Sequence, residues 1–380
     1  MKRFICLFLI FAALLTSSAY AETPSAGITP SVAAPSAVLM EKRTGEVLYE
    51  KKAHDHYFPA SVTKVMTLLL IAEDIESGKI SLDDTVTASK RAASFGGSCV
   101  YLAEGEQMTV SDMLKCIAVV SANDCAVAMA EHLSGSEELF VQRMNERASA
   151  LGLEDTHFTN CTGLFDDNNH YTSAYDVAVM SRELLRHEFI KEYTTIWMDS
   201  IRNGEFGLSS TNRLVYWYPG CTGLKTGYTS TAKYCISATA ERDGVEYIAV
   251  IMHSETADSR NADAQALLDY AFANYTLCSL RSGTPLPAIP VELGRAASVQ
   301  AVYGGSEYAL TAKTGAEPEY TLDIESSAAA PVHAGDRLGT LTVRSGGKVV
   351  ASVPVLAGED VPRLGVFGIV ALLAGRMVGL

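Results

Sequence analysis

The sequence predicts an α+β protein in two parts, a larger domain over residues 35–278 and a smaller all-β domain over residues 285–358. Strand-like stretches open and close the larger part, with helical periodicity between them, so its terminal strands are expected to share one sheet. Beyond Pro285, Pro287 and Pro290 the pattern changes to short alternating strands separated by Gly-rich turns.

Residues 1–21 read as a secretion signal: Lys2-Arg3 precedes an apolar run from Phe4 to Leu15, then Ala19-Tyr20-Ala21 supplies a small-x-small cleavage site. The mature protein is therefore expected on the extracytoplasmic face of the membrane. Residues 22–34, rich in Pro, Ser, Ala and Thr, read as a disordered lead-in. Order is expected to begin at Ala37-Val38-Leu39-Met40 and to return through the turn Thr44-Gly45 into Glu46-Val47-Leu48-Tyr49, a hairpin. Helical patterns follow over Ser61–Ser77, Val110–Cys116, Asn123–Leu133 and Leu139–Leu151. A strand-rich stretch, Tyr228–Thr239 and Val245–Met252 around the turn Arg242-Asp243-Gly244, closes the first domain, and a helix is expected over Asn261–Tyr275. In the second domain Tyr320–Ile324 and Gly339–Val343 carry the alternation of half-buried strands. From Leu364 to Leu380 only Arg376 breaks an apolar run of 17 residues. A membrane span needs about twenty, so residues 360–380 read as a hydrophobic anchor lying in or partly through the bilayer, with a buried element of the second domain as the alternative.

The formal charge of −14 excludes nucleic acid, or any anionic polymer, as a partner held by charge alone. Of the eight cysteines Cys6 leaves with the signal, and the others are scattered without C-x-x-C pairing. Cys116, Cys125 and Cys235 fall inside apolar periodic segments and read as small buried hydrophobes. No spacing supports a metal site, and no cofactor is expected.

Three short motifs occur in order: Ser61-Val62-Thr63-Lys64, Ser121-Ala122-Asn123 and Lys225-Thr226-Gly227. Each is weak alone. Ser345-Gly346-Gly347-Lys348 repeats the first, Ser210-Thr211-Asn212 and Ser259-Arg260-Asn261 the second, and Lys313-Thr314-Gly315 the third. Local context separates them. Ser61 follows Pro59-Ala60 and opens a helical run, so Ser61 and Lys64 lie one turn apart on one face. A serine hydroxyl is a poor nucleophile, and a lysine whose pKa is depressed in a crowded, dry site can accept its proton. Ser345 and Lys348 instead flank two glycines, a solvated hairpin tip. Lys225-Thr226-Gly227 leads into β-branched and aromatic residues, so it lies on a strand where Gly227 permits close approach of a substrate backbone. Ser121-Ala122-Asn123 sits between two helical segments, where a loop can aim Ser121 and Asn123 at a shared cleft.

This combination resembles the D-alanyl-D-alanine carboxypeptidases, low-molecular-mass penicillin-binding proteins of the serine DD-peptidase and β-lactamase superfamily. Matching stretches are Tyr57 to Thr67, Gly96-Gly97-Ser98, Ser121 to Asp124, His157-Phe158-Thr159-Asn160, Thr162-Gly163-Leu164 and Gly223 to Thr229, spread over residues 35–275. The all-β domain and apolar tail resemble the anchored members, and the wording most resembles the Gram-positive, sporulation-associated group. Departures are Ala122 where a Gly is usual, Cys161 where a Pro is frequent and Lys233 where a Gly is common.

The resemblance implies that Ser61 is the nucleophile and Lys64 its general base. It implies that Ser121 relays a proton to the leaving D-alanine, that Asn123 holds the substrate amide, and that Lys225 and Thr226 receive the terminal carboxylate. Backbone N–H groups of Ser61 and Tyr228 would form the oxyanion hole, with Gly227 between them. Arg213 and Arg260 are further candidate carboxylate partners, with surface salt bridges as the equal alternative. The implied substrate is a peptidoglycan stem peptide ending in D-Ala-D-Ala, and β-lactams become covalent inhibitors. Between Asn123 and Lys225 there is no E-x-x-x-N segment of the kind a β-lactamase uses for deacylation. Endopeptidase or transpeptidase action, differing only in the acceptor, stays open. A binder without turnover would have no use for an activated nucleophile.

Overall fold

The computed structural model describes residues 30–313 and 315–378. The signal segment, most of the expected lead-in, Thr314 of the second Lys-Thr-Gly and the last two residues lie outside the described residues.

Strands β1 (Ser36–Glu41) and β2 (Val47–Lys51) form the expected hairpin. Helices α1 (Lys64–Glu76), α2 (Val110–Val119), α3 (Asn123–Ser134), α4 (Glu137–Ala150) and α5 (Ala174–Leu184) follow. Strands β3 (Cys221–Thr229), β4 (Lys233–Arg242) and β5 (Val245–Ser254) precede the long helix α6 (Ala257–Asn274). The five strands make one sheet in the order β2-β1-β5-β4-β3, so first and last strands do pair, with Ala37 opposite Ile251 and Leu39 opposite Ala249.

Because successive strand residues point to opposite faces, β1 serves two cores. Val38 and Met40 pack with Leu68 of α1 and Val177 of α5, while Ala37 and Leu39 pack with Leu267 and Leu268 of α6. The sheet is thus sandwiched between helices, and all of β1 is buried.

Side-chain caps set where helices start. Ser136 accepts from the Leu139 N–H and Thr256 from the Ser259 N–H, so α4 and α6 begin before the apolar periodicity does. The stretch Tyr228–Thr239, read as continuous, is broken at residues 230–232 into β3 and β4. Lys233, standing where a Gly is common, takes the glycine-like φ of +58° as β4 begins, a conformation costing roughly 1–2 kcal/mol for a residue with a Cβ. The chain is also packed before residue 35: Val32 and Ala34 are buried, and the N–H groups of Ala33 and Ala34 donate to the Asp263 carboxylate. The lead-in expectation therefore fails over residues 30–34. An apolar alternation too short to read as strand is held there by a charge on α6.

In the C-terminal part, strands Glu319–Ile324, Arg337–Ser345, Lys348–Ala357, Ser298–Tyr303, Ala288–Glu292 and Ala328–Ala329 lie side by side in that order. Ser345 and Lys348 face each other across the Gly346-Gly347 turn, the expected hairpin, but Ser345 is buried and not solvated as expected. Tyr275–Ser279 pairs with Tyr308–Ala312, so the junction between the two parts is itself hydrogen-bonded sheet. The chain ends in a helix over Val366–Val378, and no helix among the described residues is long and apolar enough to cross a membrane. All seven described cysteines are free, and Cys116, Cys125 and Cys235 are buried as expected.

Candidate active site

Pro59 and Ala60 turn the chain into a short 3-10 segment, Ala60–Thr63, that runs directly into α1. Ala60 adopts φ +48°, and its carbonyl fills the space a side chain at Gly163 would need. This tight turn sets Ser61 at the head of α1, with Lys64 beneath it.

Lys64 is completely buried. Its Nζ lies 3.1 Å from Ser61 Oγ and donates to Asn123 Oδ1 at 2.6 Å and the Thr162 carbonyl at 2.8 Å. Burial lowers its pKa to about 7, only partly opposed by the potentials of Cys161, Cys99 and Asp124. A neutral amine has two N–H bonds and one lone pair. With the N–H bonds committed to Asn123 and Thr162, the lone pair is left for the Ser61 hydroxyl.

Ser121 takes φ +64°, and its buried Oγ has no hydrogen-bond partner among the described residues. Asn123 begins α3, donates from Nδ2 to the Gly96 carbonyl at 2.8 Å and from its N–H to the Ser98 carbonyl at 2.7 Å. Asp124 accepts from the Val100 and Leu102 N–H groups, tying the Gly96-Gly97-Ser98 loop to the same helix start. Two departures from the family pattern have local explanations. Ala122 has φ −56°, where a side chain costs nothing. Cys161 keeps an N–H that a Pro would lack, and donates it to Glu137 Oε1.

From the other side β3 presents Lys225, Thr226, Gly227 and Tyr228. A Cβ on Gly227 would lie 2.8 Å from the Pro59 carbonyl oxygen and 3.1 Å from the Ser61 nitrogen, so the strand abuts the nucleophile turn. Lys225 is buried and donates to the Thr226 carbonyl. Burial, then the neighbouring charges of Lys64 and Arg260, push its pKa well below the ordinary lysine value. Thr226 Oγ1 donates to Thr211 Oγ1 at 2.8 Å.

Ser61, Ser121, Thr226, Gly227 and Tyr228 line an open cleft of about 350 Å3, with Lys64, Asn123 and Lys225 buried immediately behind. The structure thus brings together all eight sequence-predicted residues. Residues from the two repeats of the second motif also reach the cleft. Thr211 comes from Ser210-Thr211-Asn212, and Arg260 and Asn261 come from Ser259-Arg260-Asn261; all three line the far wall. Asn212 supports that wall by donating to the Gly223 carbonyl. Arg213 and Arg260 line the cleft too, and neither pairs with a carboxylate among the described residues, so the salt-bridge alternative fails. Arg260 is 5% exposed, is held by Asn261 Oδ1 at 2.9 Å, and has its pKa lowered to about 10 by burial. An unpaired buried guanidinium in a cleft is a receptor for an anion. Their clustering with Thr226 arises from tertiary folding, which spacing along the chain does not carry. Among the described residues no three His, Cys, Asp or Glu side chains are placed to share a metal ion.

A family model described as D-alanyl-D-alanine carboxypeptidase matches residues 21–256. The chain belongs to the D-alanyl-D-alanine carboxypeptidase family. A second model, the C-terminal domain of penicillin-binding protein 5, matches residues 279–363. The chain is 42% identical to D-alanyl-D-alanine carboxypeptidase DacF of Bacillus subtilis, over 96% of both chains. Among solved carboxypeptidase-type structures, penicillin-binding protein 5 of Haemophilus influenzae superposes with a TM-score of 0.77 at 28% identity, covering 89% of this chain and all of that one. Ampicillin-bound penicillin-binding protein D2 of Listeria monocytogenes superposes with a TM-score of 0.59 at 29% identity, covering 64% of this chain and all of that one.

Proposed function

We propose that this chain is a serine-type D-Ala-D-Ala carboxypeptidase that removes the terminal D-alanine from peptidoglycan stem peptides through an acyl-enzyme on Ser61. The observation that carries the assignment is the dry Lys64 amine, 3.1 Å from the Ser61 hydroxyl and oriented by Asn123 and Thr162.

The neutral Lys64 takes the Ser61 proton as Oγ bonds to the carbonyl carbon of the penultimate D-alanine. The resulting oxyanion is received by the backbone N–H groups of Ser61 and Tyr228, brought side by side by Gly227. Collapse breaks the C–N bond. The leaving nitrogen takes a proton from the unpartnered Ser121 hydroxyl, which is refilled from Lys64. Water then attacks the ester carbonyl as Lys64 takes its proton, and Lys64 returns that proton to Ser61 Oγ as the acyl C–O bond breaks, freeing the carboxylate product and the neutral base. Asn123 also holds the substrate amide, and Thr226, Lys225, Arg213 and Arg260 receive the terminal carboxylate. Burial lowers the pKa of both Lys64 and Lys225, and an arriving carboxylate supplies a counter-charge that the dry site lacks. A β-lactam amide enters the same first half-reaction and stops at the ester.

The deciding experiment incubates the purified chain with a D-Ala-D-Ala-terminated muropeptide and resolves the products. Free D-alanine with a shortened, uncross-linked stem is expected; cross-linked products would make it a transpeptidase, and cleavage of cross-links an endopeptidase.

We further propose residues 35–278 as the catalytic unit, residues 285–358 as a spacer toward the wall, and residues 360–380 as the attachment of a secreted protein to the outer membrane face. Val366, Phe367 and Val370 of the terminal helix are exposed, which suits insertion into a lipid surface better than solvent. Deleting residues 364–380 is expected to move the protein from the membrane to the soluble fraction. If both forms pellet alike, the helix is not the anchor.

A further inference from the structure

A second cavity, of about 430 Å3, opens beside the catalytic cleft. Phe58 and Tyr57 form one wall, immediately before the nucleophile turn, and Thr231 in the turn after β3 forms another. Both walls therefore continue those of the candidate active site. His56 and Tyr171 stack at 4.4 Å with their planes 12° apart, a flat platform, and Tyr57 lies 5.4 Å from the His253 ring. His253 holds φ +60°, unusual outside glycine, and its ring nitrogens have no protein partner among the described residues. The φ belongs to an irregularity in the pairing of β4 with β5, which turns the ring out of the strand alternation. Asn168 also lines the cavity, exposed, with no protein partner for its carboxamide oxygen or NH2 group among the described residues.

Resting on the carboxypeptidase reading, the direction of the substrate follows from the cleft. The terminal carboxylate belongs at Thr226 and Arg260, and the scissile carbonyl at Ser61 and Tyr228, so the peptide runs antiparallel to β3. Its N-terminal end then travels past Thr229 toward Thr231 and the second cavity. β3 ends at Thr229 and Thr231 stands in the turn beyond it, at the end of the strand toward which the stem leaves.

The lining decides which group is received. No Lys, Arg, Asp or Glu borders the cavity, and the Asp155 carboxylate that touches its lining residue His56 is already shared between His54 and His56, so neither the ammonium of a diamino side chain nor a carboxylate finds a free counter-charge there. Aromatic faces with amide, hydroxyl and imidazole groups suit a pyranose ring bearing hydroxyls and an acetamido group. We infer that this cavity is a subsite for the N-acetylated amino sugar at the head of the stem peptide.

The test compares kcat/KM for D-alanine release from a bare pentapeptide and from the same pentapeptide on N-acetylmuramic acid. Each pair is measured on one preparation, so the ratio cancels losses of active enzyme. The wild type is expected to favour the glycosylated substrate by about tenfold, and Asn168→Ala and His253→Gly to bring the ratio close to one. Equal rates in the wild type, or an unchanged ratio in both variants, would overturn the subsite. So would a preference that tracks the third stem residue in bare peptides instead of the sugar. A readout independent of turnover is saturation-transfer NMR of the N-acetylglucosaminyl-N-acetylmuramic acid disaccharide with the full chain. Transfer to the acetamido methyl groups, several-fold weaker with Asn168→Ala, is expected, and its absence in the wild type sinks the subsite. Loss of D-alanine release alone would sink the carboxypeptidase reading and leave this result standing.

Discussion

Ser61→Ala is expected to lower kcat/KM for D-alanine release by on the order of 10⁴-fold or more, and to erase covalent labelling by penicillin. The size follows from what remains. The backbone donors, the buried arginine and the strand edge still bind substrate, so a residual acceleration over water survives, but no atom is left to form the ester. The truncation removes one oxygen from a half-buried position that bonds only Lys64 among the described side chains, so the fold should persist. Circular dichroism and thermal unfolding verify that. Labelled penicillin retained on the variant at the wild-type stoichiometry would show that acylation occurs elsewhere, and the assignment of Ser61 would be withdrawn.

The nucleophile and base were legible because their relation is local: two residues three positions apart on a helical turn lie on one face. The strand carrying Lys225 to Tyr228 was legible from composition, although its partner strand was not separated from it. The break falls at residues 230–232 and Lys233, and a lysine holding φ +58° gives no turn signal. Helix α5 escaped altogether. Asp176, Ser181 and Arg182 interrupt its apolar pattern, yet Ser181 is buried because its Oγ donates to the Val177 carbonyl and meets Ser237 Oγ at 2.7 Å. The wall formed by Thr211, Arg213, Arg260 and Asn261 joins a loop before β3 to the first turns of α6. No periodicity connects residues some fifty positions apart along the chain, so repeats of a three-residue motif looked like chance. What the sequence could not carry was which charged groups would fail to find a partner, and that failure is what marks the anion-receiving end of the cleft.

The base should reveal itself in pH dependence twice, with related signs. The second-order rate of penicillin acylation reports the free enzyme, and only neutral Lys64 can take the Ser61 proton. The rate is expected to rise about tenfold per pH unit below pH 7 and to level off above it, since burial holds this amine near 7. In Lys64→Met that profile should vanish along with most of the rate. Stability supplies the second sign. Lys64 has a folded pKa of about 7, below the unfolded value of 10.5, so between these limits the unfolded chain binds more protons. Stability of the wild type therefore rises with pH through that window, by at most about 1.4 kcal/mol per pH unit from this group. Below pH 7 both states are protonated and the full cost of burying the cation is present. Lys64→Met lacks that cost but leaves Asn123 Oδ1 and the Thr162 carbonyl without a donor, a loss of about 1–3 kcal/mol for each that stays unsatisfied, whatever the pH. The constant term offsets the two curves and the proton term tilts them, so the variant should compare best with the wild type at pH 6 and lose ground steadily toward pH 10. Denaturant unfolding at pH 6, 8 and 9.5 measures the tilt. Parallel curves, together with a flat acylation profile from pH 5 to 8, would mean that Lys64 is charged throughout and that another group takes the proton.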